Sequence, residues 1–176
     1  GDEPVHTSHE DSERAIWAFQ LLHSWRTIPG DRGDGSVDAQ ALADWVARAR
    51  ELARSGGRAQ NGDLMIGEVL SGSPPGPDGA WPHPAVRDLI EKLSNADVER
   101  GIEIGRYSSR GAVTRGPYEG GRQEREIAER YERYAQTVGD RWPRTAATLR
   151  PIATTYLAEA AEEDREAELN QDLDLY

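Results

Sequence analysis

Apolar side chains recur at three- and four-residue spacing through most of this sequence, and glycine or proline stops most of the runs. That spacing commits the backbone to amphipathic helices that bury one stripe against each other. No run of alternating β-branched residues is long enough for a strand. The expected fold is therefore all-α: an irregular bundle of about seven helices with Pro/Gly-rich loops. A chain of 176 residues suits one domain with a real core. Five tryptophans and six tyrosines supply the bulk that a single Phe and a single Met do not.

The first helix is expected from about Ser12 to Trp25, with Ile16, Phe19 and His23 on one stripe and Trp17, Leu21 and Trp25 beside it. Pro29-Gly30 ends it. The second, about 38–54, spaces Leu42, Trp45, Val46, Ala49 and Leu52 helically and stops at Ser55-Gly56-Gly57. A short third is expected to begin at Asp63 and to carry Met65, Ile66, Val69 and Leu70. Residues 71–84 form a loop dense in Pro and Gly, where Trp81 either pins the loop to the core or waits for a partner.

A fourth helix, 84–93, has Pro84 near its first position. Ser94 or Asn95 then caps a fifth that runs to about Tyr107, with Val98, Gly101, Ile102 and Gly105 on a common side. Two glycines four apart would admit another backbone closely, each at roughly 1 kcal/mol of helix propensity, or else the helix frays or bends there. The sixth starts near Glu119 or Gly121 and ends at Val138, and Trp142-Pro143 opens the seventh. Residues 1–11 read as an acidic disordered lead-in or linker, 12–166 as the helical domain and 167–176 as an acidic tail.

Charge follows the same division. Residues 1–13 carry −5, residues 159–174 carry −7, and the body between them is +1, within a total of −11. Acidic ends disfavour nucleic acid and anionic membranes as partners. No apolar run reaches the ~20 residues of a membrane helix. The absence of cysteine excludes disulfides and thiolate metal sites, and the expected location is the cytoplasm.

Little in the sequence spells out chemistry. Asp34-Gly35-Ser36-Val37-Asp38 matches the middle of a calcium loop. Aligned on the turn glycine, however, positions 1, 3 and 12 are Gly30, Arg32 and Ala41, so three ligands are missing. A glycine turn followed by a helix N-cap at Ser36 or Asp38 accounts for the same residues. His6, His9, His23 and His83 form no metal-ligand pattern, Ser24, Ser108 and Ser109 lack a nucleophile elbow, and no phosphate-binding glycine motif is present. No catalytic residue, metal site or cofactor is expected.

One stretch departs from the helical pattern. Between Gly105 and Arg125 there are five glycines, Pro117 and five arginines against only Glu119 and Glu124, a net +3. Planar guanidiniums fork onto carboxylate or phosphate, and Gly120-Gly121 would free backbone N–H groups at the positive end of the sixth helix. Arg106, Arg110, Arg115, Tyr118, Arg122 and Arg125 are thus the candidate residues for an anionic ligand or an acidic protein partner. The competing reading is internal, with the arginines pairing helix carboxylates and locking the loop to the bundle.

Leu21-Leu22-His23-Ser24-Trp25, Pro29-Gly30, Asp34-Gly35-Ser36, Gly79-Ala80-Trp81-Pro82, Glu119 to Arg125 and Trp142-Pro143-Arg144-Thr145 together resemble the C-terminal part of large uncharacterised bacterial proteins. The resemblance covers the chain from about residue 14 and implies a piece of a larger polypeptide. It carries no activity and no site. The expected function is a non-enzymatic helical interaction or scaffolding module that meets other proteins. The alternative is a domain of a bacterial enzyme with catalytic residues scattered over the helices.

Overall fold

The computed structural model describes residues 27–109 and 120–173. Within them lie six helices: α1 (Ala39–Ser55), α2 (Ala59–Leu70), α3 (Pro84–Leu93), α4 (Ala96–Ser108), α5 (Arg122–Val138) and α6 (Pro143–Leu173). The fold is all-α. Among the described residues no strand forms, and the one β-type contact is an isolated antiparallel bridge between Asp31 and Val37. The helix expected over 12–25 lies outside the described residues.

The turn before α1 is made by its own carboxylates. Asp31 Oδ1 accepts from the Gly33 amide at 2.8 Å, and Asp34 Oδ1 accepts from the Ser36 amide and hydroxyl at 2.9 and 2.6 Å. Gly30, Gly33 and Gly35 all adopt positive φ. At Gly30 an added Cβ would also stand 2.6 Å from the Asp38 carbonyl oxygen. Asp38 is the N-cap, its Oδ1 accepting from the Ala41 amide at 3.0 Å.

Helix α2 begins at Ala59, four residues earlier than expected. Asp63 is not a boundary residue. It lies inside the helix, buried, where the Arg50 guanidinium forks onto it at 2.7 and 3.0 Å and Asn95 Nδ2 donates to it at 2.8 Å. One carboxylate so ties α1, α2 and the N-cap of α4, since Asn95 Oδ1 also accepts from the Val98 amide.

The most extensive packing among the described residues is of α2 on α4 and of α5 on α6, while α3 and α4 both rest on α6. The α2–α4 crossing is set by glycine. An added Cβ would lie 2.1 Å from the Val98 carbonyl oxygen at Gly67 and 2.0 Å from the Leu64 carbonyl oxygen at Gly101. The two backbones touch where neither carries a side chain, as the spacing of Gly101 and Gly105 foretold for α4.

Loop 71–83 is bound to the bundle at two points. Trp81 is buried in the core, and its indole N–H donates to the Ser73 carbonyl at 2.8 Å, so it is an anchor. Arg87 of α3 is 0% exposed. Its guanidinium donates to Asp78 at 2.5 and 2.8 Å and to the carbonyls of Pro82 and Ala80 at 2.6 Å each, beneath the Trp142 ring. That hydrogen-bonded guanidinium pulls the Asp78 carboxyl down to about 2.

Helix α6 runs unbroken to Leu173, through the residues that read as an acidic tail, and Ala167 is still buried. Its N-terminus is capped from α3: Glu91 Oε1 accepts from the Thr145 amide and hydroxyl, and Oε2 from the Arg144 amide at 3.2 Å. Arg144 in turn holds Glu99 of α4 at 2.6 Å. Pro151 sits within this helix and, lacking an N–H, leaves the Ala147 carbonyl without its helical donor.

Candidate functional site

The C-terminal turn of α4 and the N-terminal turn of α5 bracket the arginine-rich stretch, and each contacts α6, through Tyr107–Glu159 and Gly121–Asp164. Arg110, Arg115 and Tyr118 lie outside the described residues. The other three candidate residues have different fates.

Arg106 is packed inward. Its guanidinium carbon stands 4.7 Å over the Trp81 ring and 6.0 Å from that of Tyr131, and Nε donates to the Tyr131 hydroxyl at 2.7 Å. Stacking on an indole and donating to a phenol commit this charge to the core. Arg125 pairs with Asp164 of α6. The same carboxylate accepts from the Gly121 amide at 2.9 Å, and that amide hydrogen bond, ahead of the Arg125 charge, holds the Asp164 carboxyl below its usual range. The positive end of α5 thus receives an anion from within the chain. Arg122 is open: its side chain is 74% exposed, with Glu126 at 3.8 Å one turn on.

Beside these residues, α4 and α6 part to leave a cleft of about 250 Å³. Glu103, Ile104, Tyr107 and Ser108 line it from α4, and Pro151, Ile152 and Thr155 from α6. Ile104 and Tyr107 are 37% and 48% exposed. Tyr107 is fixed by its hydroxyl, which donates to Glu159, and by its ring, 6.2 Å from Tyr156. Tyr156 stacks on Tyr131, which meets Trp81 edge-on at 6.0 Å, so a tier of rings runs from the cleft into the core.

Glu103 is the carboxylate of the cleft wall. Burial, reinforced by the neighbouring Glu99 and opposed by Arg100, pushes its carboxyl above the usual range. Among the described residues, no hydrogen bond or ion pair joins it. The α6 wall opposite is uncharged.

Sequence reasoning missed Glu103, Ile104 and Tyr107. One signal was present: Ile104 is an apolar residue two positions from Ile102, on the side of α4 away from the Val98–Gly101–Ile102–Gly105 stripe. Among the described residues no group of three or more His, Asp or Glu side chains could hold a metal ion, and no helix is long and apolar enough to cross a membrane. Comparison with protein-family models, with curated proteins and with solved structures returned no match.

Proposed function

We propose that this chain is a non-enzymatic helical interaction module, acting within a larger polypeptide, that binds a segment of another protein in the cleft between α4 and α6. The observation that carries this reading is the cleft itself. It is open, mostly apolar, rigidly backed by the Tyr107–Tyr156–Tyr131 rings, and contains one carboxylate rather than a convergence of ionisable groups. An enzyme site would gather acids, bases or nucleophiles at one point. Carboxylates elsewhere in the bundle are engaged in architecture: Asp63, Asp78, Glu91, Glu99 and Asp164 each hold a helix end, a loop or an arginine.

The test is to pan a random dodecapeptide library on the folded chain and to map the recovered peptides by amide chemical shifts. The expected result is perturbation centred on Ile104, Tyr107 and Thr155, lost in Ile104→Asp. Recovery of no binders, or of binders that map elsewhere, overturns the reading.

An acidic partner at the arginines is the second reading, and Arg122 supports it as a candidate arginine 74% exposed and held only loosely by Glu126. Arg122→Gln would then weaken binding of a polyglutamate peptide with a marked salt dependence.

A further inference from the structure

The cleft has a chemical character that narrows its partner. Ile104, Ile152, Pro151 and Tyr107 line it with largely apolar side chains, and Glu103 is the carboxylate in its lining. Nearly every other partly buried carboxylate near the helix ends has a cation or an amide: Glu99 has Arg144, Asp164 has Arg125 and the Gly121 amide, and Glu91 has the first turn of α6. Glu103 has neither among the described residues. Of the charges nearest it, Glu99 is already paired and Arg100 lies on the exposed side of α4, while Pro151, Ile152 and Thr155 opposite bring none.

A carboxylate partly withdrawn from water beside an exposed tyrosine and isoleucine is complementary to a long basic side chain. The aliphatic stem of arginine or lysine would lie along Ile104 and Ile152, and the cation would reach Glu103 across the Tyr107 ring. Resting on the interaction-module reading, we infer that the α4–α6 cleft takes a basic residue, flanked by apolar ones, from an extended segment of a partner protein. The specificity of the cleft is then opposite in sign to that of the arginine-rich stretch that follows α4. An acidic segment is excluded from it by Glu103.

Three acetylated and amidated heptapeptides, Gly-Ser-Leu-Xaa-Leu-Ser-Gly with Xaa as Arg, Gln or Glu, provide the probe. In amide-detected titrations the Arg peptide is expected to move the signals of Glu103, Ile104, Tyr107 and Thr155. It should bind about tenfold more tightly than the Gln peptide, the size of one charge-assisted pair. Glu103→Gln should erase that preference while leaving the fold intact by circular dichroism, and lowering the pH to protonate Glu103 should do the same.

Equal binding of the three peptides at the cleft would overturn the basic-residue inference and leave the module reading in place. Binding of none would also overturn it, with the module reading then decided by the random library. If Arg110→Gln with Arg115→Gln moves the Glu103 and Tyr107 signals with no peptide added, the cleft is filled by the chain's own arginines, and the partner inference falls.

Discussion

The carboxylate of Asp164 sits on the backbone amide of Gly121, 43 residues earlier, with Oδ1 accepting at 2.9 Å. Gly121 is pressed so close to α6 that a Cβ there would stand 2.3 Å from the Ala160 Cα. Gly121→Ala should therefore separate α5 from α6 and cost roughly 1–3 kcal/mol, as overpacking against fixed backbone does. Asp164→Asn should lower the melting midpoint more gently and flatten its acid limb. The Asp164 carboxyl is held below its unfolded value near 3.8, so its contribution is present above that pH and lost as the pH falls below it. A melting curve for Gly121→Ala that overlays the parent would refute the close packing.

The arginines should separate cleanly in thermal melts. Arg106→Gln loses two ring contacts and two hydrogen bonds, to the Tyr131 hydroxyl and the Ser71 carbonyl, and should cost about 2 kcal/mol. Arg122→Gln removes only an exposed, loosely paired charge and should change stability by less than about 0.5 kcal/mol. Equal effects from the two substitutions would contradict the inward packing of Arg106.

Gly67→Ala and Gly101→Ala set helix propensity against packing. Propensity alone favours alanine by about 1 kcal/mol in each helix. The crossing of α2 and α4 leaves no room, with a carbonyl oxygen 2.1 or 2.0 Å from the added carbon. Overpacking of about 1–3 kcal/mol or more should win, and denaturant midpoints of both variants should fall. A rise in either would show that the helices can part without loss.

Arg87 and Asp78 form the latch of loop 71–83. Arg87→Met keeps volume but leaves the Pro82 and Ala80 carbonyls without their donor, while the exposed Asp78 turns to water, and should cost roughly 1–3 kcal/mol. With the Asp78 carboxyl at about 2 in the fold and near 3.8 unfolded, its stabilisation is full above about pH 4 and fades as the pH falls toward 2. Urea melts from pH 2 to 6 should show this slope in the parent and a shallower one in Arg87→Met.

Glu103 works in the other direction. Its carboxyl is raised by burial, so the folded chain binds the proton more tightly than the unfolded one. Stability from this group is present below its unfolded value near 4.5 and declines as the pH rises through the raised value. Glu103→Gln should be slightly more stable than the parent at pH 7. Destabilisation at pH 7 would mean that the carboxylate has a partner.

Those contrasts also mark what the sequence could reveal. Local signals were legible because their physics is local: Asp38 and Asn95 as caps, Pro84 at a first turn, Gly56-Gly57 as a stop, and the glycines of α4 as a place for another backbone. Asp63 misled because an acid after Asn61-Gly62 resembles a helix start, whereas its role is set by Arg50 and Asn95, 13 and 32 residues away. The arginines divided for the same reason. Arg106 finds Tyr131 and Arg125 finds Asp164 only after α5 and α6 have docked, and no local spacing encodes either pair. The cleft was hidden because it is a gap between helices, and Ile104 alone hinted at it.

Among the described residues, two helices have first turns finished by carboxylates of other helices. Helix α5 borrows the carboxylate of Asp164 from α6, and α6 borrows that of Glu91 from α3. An isolated peptide spanning either helix would fray at its start, since nothing within it replaces the missing acceptor. Helix α6 has a complete N-terminus only when docked on α3, and α5 only when docked on α6. Native caps at Arg144-Thr145 and Gly121 should therefore close late in folding, with substitutions at Glu91 and Asp164 speeding unfolding more than they slow folding.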